Sequence, residues 1–285
     1  MPLWTIARLT LREVARRRLV VTVFILTAVV LGATAWFFWK APSFACSNCS
    51  TAELYAGVSV LLILVMYMFS FVIALGAVFL AAPIISGDVE SGVAQAMLPR
   101  PIRRSDFVLG KWLGLAGMLV LYTVVACGLE LAIVQLTTGY APPHAARTVA
   151  YLCGEAVVVL TAGLLGSTRM AAMTVGITVA ALYGLTWILG ILGAVGSALG
   201  KPAMTHIGTV SSLILPSDAL WRGAIYNLEP AAILAMLTSG PKGAAAANSV
   251  FAVAAPPTSA FIVWVALWLA AMLALCVYSF ERREL

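Results

Sequence analysis

Charge is what this sequence has least of. Only 10% of its 285 residues are Asp, Glu, Lys or Arg, against about 25% in an ordinary soluble domain. Two histidines and five cysteines are too few for a metal-rich protein or a disulfide scaffold. There is no GxxxxGK[ST] loop, no HExxH and no GxSxG, so the chain lacks the phosphate cradle, zinc-protease helix and nucleophile elbow that those motifs build. No paired intramembrane aspartates or Ser/His pair stand in for them. The reading is a protein that is not an enzyme.

What the chain has instead is apolar surface. It is 62% hydrophobic, with a mean hydropathy of +1.04, more than a soluble fold of this length can bury. The fold class that follows is an all-α, polytopic membrane protein. A helix needs roughly 20 apolar residues to cross the hydrocarbon core. Six runs qualify: Leu19–Trp39, Gly57–Ile85, Phe107–Leu136, Val149–Gly166, Ala171–Leu199 and Ser259–Phe280.

The net charge of +6 does not point to nucleic acid, because the basic residues cluster at span ends. With both termini cytoplasmic, the inner segments hold Arg8, Arg12, Arg16, Arg17, Arg18, Arg100, Arg103, Arg104, Lys111, Arg169, Arg282 and Arg283. The outer ones hold only Lys40, Arg147, Lys201, Arg222 and Lys242. This asymmetry is the positive-inside pattern, and anionic membrane lipids are natural partners for it. Residues 1–18 read as an interfacial amphipathic helix, with Leu3, Ala7, Leu11 and Val14 on one face and Arg8, Arg12 and Arg16 on another. Residues 19–285 read as a single six-helix domain.

Two connections are long. Residues 86–106 contain SGDVESGVAQAMLPRPIRRSD. Ser86 or Asp88 can cap a short helix whose apolar face is Val93, Ala96 and Met97. Pro99 and Pro101 then stop it. Ser105 or Asp106 can cap the helix that follows. Residues 200–258 lie on the outer side and hold six prolines, so no span fits there. Ser217 reads as the N-cap of a helix whose stripe of Leu220, Trp221, Ala224, Ile225 and Leu228 is expected to lie flat on the outer surface.

The run Ile84–Gly114 resembles the signature region of the ABC type-2 transporter permease family, through Asp88, Glu90, Gly92, Met97, Leu98, Pro101, Arg104, Gly110 and Lys111. Val93 stands where that family commonly has Thr. The six-span layout, with Leu215-Pro216-Ser217-Asp218 in the large loop, is similar to the branch of the family that serves nitrous-oxide-reductase maturation. The resemblance implies the permease subunit of an ATP-binding cassette exporter in a cell inner or plasma membrane, with a bacterial source expected. It implies two copies of a separate ATPase and a second permease, expected as an identical copy. This chain itself would bind no cofactor, ATP and Mg belonging to the ATPase. The ATPase-coupling residues would be Asp88, Glu90, Gly92, Val93, Met97, Arg100, Pro101, Arg103 and Arg104. The competing reading is a membrane subunit that passes ATPase-driven movement to an external partner without transporting a solute.

Glu130 and Glu155 are carboxylates inside spans, where charge is costly. They line a substrate or ion route, or they hydrogen-bond neighbouring helices. Cys46 and Cys49 form either an outer disulfide or two ordinary thiols, and with His144 and His206 in other loops no local metal-ligand spacing exists. Gly110, Gly114, Gly190 and Gly193 read as helix-packing positions. Trp36, Trp39, Trp112, Tyr140, Tyr151 and Tyr278 read as interfacial belt anchors.

Overall fold

The computed structural model describes residues 2–15, 18–44, 51–92, 103–230, 253 and 255–282. Among them every regular element is helical: α1 (Pro2–Ala15), α2 (Arg18–Phe44), α3 (Thr51–Glu90), α4 (Arg104–Thr138), α5 (Ala145–Ser167), α6 (Ala172–Ala198), α7 (Pro202–Ile214), α8 (Ser217–Leu228) and α9 (Ser259–Glu281). Six of these, α2 to α6 and α9, contain a stretch long and apolar enough to cross a membrane.

Helix ends follow local chemistry. Gly139 closes α4 in the left-handed region (φ 73°), its N–H donating to Gln135 O at 3.0 Å, a conformation glycine adopts without penalty. Pro202 opens α7 at its first position, where the missing N–H has no helical partner to lose. Thr258 caps α9 by accepting from the Phe261 N–H. One expectation fails here. Ser86 and Asp88 do not start a new helix, because α3 runs unbroken to Glu90, with the Ser86 hydroxyl donating back to Ala82 O at 2.9 Å. Likewise Arg103, not Ser105 or Asp106, holds the N-cap position of α4.

At about 1.5 Å per residue, the 40 residues of α3 and the 35 of α4 extend well past a core of about 30 Å. The first turns of α4 receive α1. A Cβ at Gly110 would stand 2.9 Å from the Ile6 Cβ, and one at Gly114 would stand 2.6 Å from Ala7 O, so glycine is what allows this approach. Ile6, Ala7, Thr10 and Val14 are buried by it. The apolar face of α1 therefore meets protein as well as any surface it lies on.

The centre of the bundle is the α3–α5 contact, close enough that a Cβ at Gly163 would reach the Ala81 Cβ at 2.8 Å. After α6 the chain turns back on itself. Gly196 meets Met204, Gly193 meets Gly208 and Gly190 meets Asp218, so α7 runs antiparallel to α6. Then α8 runs antiparallel to α5, with Gly154 against Leu220 and Gly223 against Tyr151. Gly190 lies seven residues from the end of the apolar stretch at Ser197, about 10 Å back along the helix. The pair α7–α8 thus folds back alongside α6 and α5, and the apolar stripe of α8 faces these helices. Leu220, Trp221, Ala224, Ile225 and Leu228 are all buried, because the apolar stripe finds helices, not lipid, as its partner.

Candidate functional site

One end of the bundle gathers the charged residues of the signature region. Lys111, 4% exposed, pairs with Asp88 and also donates to Ile84 O at 2.8 Å. Its ammonium stands 5.1 Å from the centre of the Phe107 ring, an attractive position for a cation, and Phe107 stacks on Phe280 at 5.5 Å. Arg104 donates to Glu281 O at 2.8 Å and Phe280 O at 3.4 Å, placing a cation on the last carbonyls at the C-terminus of α9, where the helix dipole is negative. Arg169 Nε donates to Ser279 Oγ at 2.9 Å. Glu90 and Arg103 are exposed, and Gly92, at φ 75°, turns the chain out of α3.

The expected coupling set therefore divides. Asp88 and Arg104 face inward as ties to α4 and α9, whereas Glu90 and Arg103 present charge outward. Val93, Met97, Arg100 and Pro101 lie outside the described residues, as do Cys46 and Cys49.

The two membrane-depth carboxylates are buried in different places. Glu155 of α5 accepts Ser70 Oγ at 2.8 and 2.9 Å on its two oxygens, and the Tyr183 hydroxyl donates to Oε1 at 3.0 Å. Around it, Tyr67, Trp187, Asp218 and Trp221 enclose a cavity of about 10 Å³, roughly the space of one water. Glu130 of α4 accepts Thr34 Oγ1 from α2 at 3.0 Å. Its other oxygen has no hydrogen-bond partner among the described residues. The structure joins each carboxylate to a neighbouring helix and does not bring the two into one site.

Beside Glu155 the α7–α8 turn brings residues that sequence reading did not single out. Asp218 was expected only at a helix start. It is buried, and Arg222 donates to it at 2.9 Å and to Gly190 O at 2.9 Å. The i, i+4 spacing of an acid and a base was the available signal. Trp264 and Trp268 of α9 donate to Leu213 O and Ile214 O at 3.2 and 2.8 Å, occupying carbonyls that the end of α7 leaves without helical partners. Of the expected belt anchors, Trp36 and Trp39 are exposed. Trp112, Tyr140 and Tyr151 instead pack inward. Trp112 donates to Thr161 Oγ1 at 3.0 Å, Tyr140 donates to Leu228 O at 2.6 Å, and Tyr151 fills the space opposite Gly223. A polar tip at a span end bonds protein as readily as headgroups, so position alone did not separate the two.

Comparison with known proteins adds two findings. Residues 4–285 match the family described as ABC-2 family transporter protein. The chain is also similar to the probable ABC transporter permease protein NosY of Pseudomonas aeruginosa, 28% identical over 306 residues that cover 99% of this chain and 98% of that protein.

Proposed function

The chain belongs to the ABC-2 transporter family as a multi-pass membrane permease subunit of an ABC transporter, and from that premise we propose that it is an exporter permease driven through residues 86–106. In this reading the basic end, with both termini, faces the cytoplasm, and a separate ATPase docks there. Two ATPase copies and a second copy of this chain complete the machine. ATP and Mg belong to the ATPase.

The observation that carries the reading is how the docking segment is anchored. On one flank Asp88 of α3 pairs with Lys111 of α4. On the other, Arg104 is bonded to the last carbonyls of α9. A displacement imposed between these flanks is delivered to α3, α4 and α9 together, and from α3 to α5 and α6 through the packed core. Glu90 and Arg103, exposed beside the anchors, are left to set register on the ATPase surface by charge pairing, which governs specificity more than affinity. The test is charge reversal at these two alone. Glu90→Arg with Arg103→Glu should insert normally yet lose ATPase co-purification and permease-stimulated hydrolysis. Full stimulation by correctly inserted double mutant would reject the docking role.

A further inference from the structure

A groove of about 630 Å³ runs between α2, α3 and α4. Its volume is in the range of small-molecule sites, about 300–1,000 Å³. Phe24, Gly76, Phe79 and Tyr122 are among its walls, and Leu11 of α1 stands at one end. The one side-chain polar atom in this lining, the Tyr122 hydroxyl, is engaged by Thr27 Oγ1. A polar solute would find no partner here and would lose its hydration. Gly76 leaves the floor open, since a Cβ there would meet no atom within 4 Å.

The helix that supplies Leu11 is basic. Arg8 and Arg12, three residues before and one after Leu11, are exposed. With Glu13 they are the charged groups of α1, which is net positive. An apolar slot with exposed guanidinium groups on the helix that supplies one of its walls matches one ligand chemistry: a hydrocarbon chain ending in an anion. A second copy of this chain fits less well, because a two-fold contact at the groove would bring the two basic α1 helices together. We infer that the groove is a binding site for one anionic phospholipid, an acyl chain lying against Gly76 and Phe79 and the phosphate resting on Arg8 and Arg12. This inference does not depend on the coupling reading and needs no ATPase to test.

The test uses the full chain, delipidated in mild detergent and titrated with phosphatidylglycerol or phosphatidylcholine while native mass spectrometry counts retained lipid. Wild type should retain phosphatidylglycerol in preference, by about fivefold per arginine, the equivalent of about 1 kcal/mol for each basic side chain at a membrane surface. Arg8→Gln with Arg12→Gln should remove the preference and leave phosphatidylcholine retention unchanged. Gly76→Phe should abolish retention of both lipids by filling the slot. Gly117→Phe, which also points into open space but outside the groove, should change nothing. Gly76→Leu is run in parallel, so the test survives if the larger side chain impairs folding. Equal retention of the two lipids by wild type, undiminished retention in both Gly76 variants, or a change of oligomeric state in those variants would each overturn the assignment.

Discussion

Lys111 reaches across from α4 to hold the end of α3 at two points, the Asp88 carboxylate and the Ile84 carbonyl. One acidic and one basic position of the signature region are therefore partners to each other. Removing one partner strands a buried charge, at a typical cost of about 3–5 kcal/mol. Lys111→Met and Asp88→Asn should each lower thermal stability by that order, while the double variant should recover most of the loss. Additive losses in a double-mutant cycle would show that the two side chains do not interact.

Gly114→Ala should loosen α1. Its new Cβ would meet Ala7 O at 2.6 Å, and overpacking of this kind costs about 1–3 kcal/mol. Trypsin should then cut at Arg8 and Arg12 several-fold faster in the folded protein. Gly117→Ala, with nothing near its Cβ, should cut at the wild-type rate. Equal rates for both variants would contradict the close approach.

Glu229 gives stability a pH dependence. Burial disfavours its charged form and raises its pKa from 4.5 to about 7, partly opposed by the Val253 N–H donating to Oε1. The folded state therefore holds this proton more tightly than the unfolded chain does. The stabilising contribution is complete below pH 4.5 and is lost as pH rises through about 7. Melting temperature should fall between pH 5 and pH 8, and Glu229→Gln, neutral throughout, should flatten that slope. An unaltered slope in the variant would assign the effect to other groups.

Trp268→Phe keeps a large ring but removes the donor to Ile214 O. This carbonyl is only partly buried, so leaving it without a partner costs about 1 kcal/mol, the low end of the range for an unsatisfied group. The loss should be local, appearing as faster hydrogen exchange across residues 213–218 with little change in α3 or α5. Uniform acceleration would mean that the bond supports the whole bundle.

The spans were legible because hydropathy needs no partner: the six apolar runs agree with the helices to within a few residues, except where helices outrun the bilayer. Ser86-Gly87-Asp88 looked like a helix start because local chemistry favours it there. What carries α3 on to Glu90 includes Lys111, a partner 23 residues away from Asp88. The stripe on α8 was visible, but an apolar stripe does not say whether lipid or protein covers it. Its covering residues, Tyr151 and Gly154, become neighbours only once α7 has folded back along α6. Glu130 and Glu155 were found by their depth, whereas their donors Thr34, Ser70 and Tyr183 are ordinary residues in an apolar context. Nothing in their own segments marked them.

The bonds from Trp264 and Trp268 to the end of α7 impose an order on biosynthesis. Both indoles belong to the last helix, so while the ribosome is still completing α9, the carbonyls of Leu213 and Ile214 have no indole to meet. Two of the acceptors of Arg104, the Phe280 and Glu281 carbonyls, also arrive only then. The end of α7 and the start of α4 thus gain these bonds late, when α9 enters from the insertion machinery. A nascent chain arrested before residue 264 should exchange amide hydrogens quickly across residues 213–218, and extension through residue 282 should slow that exchange.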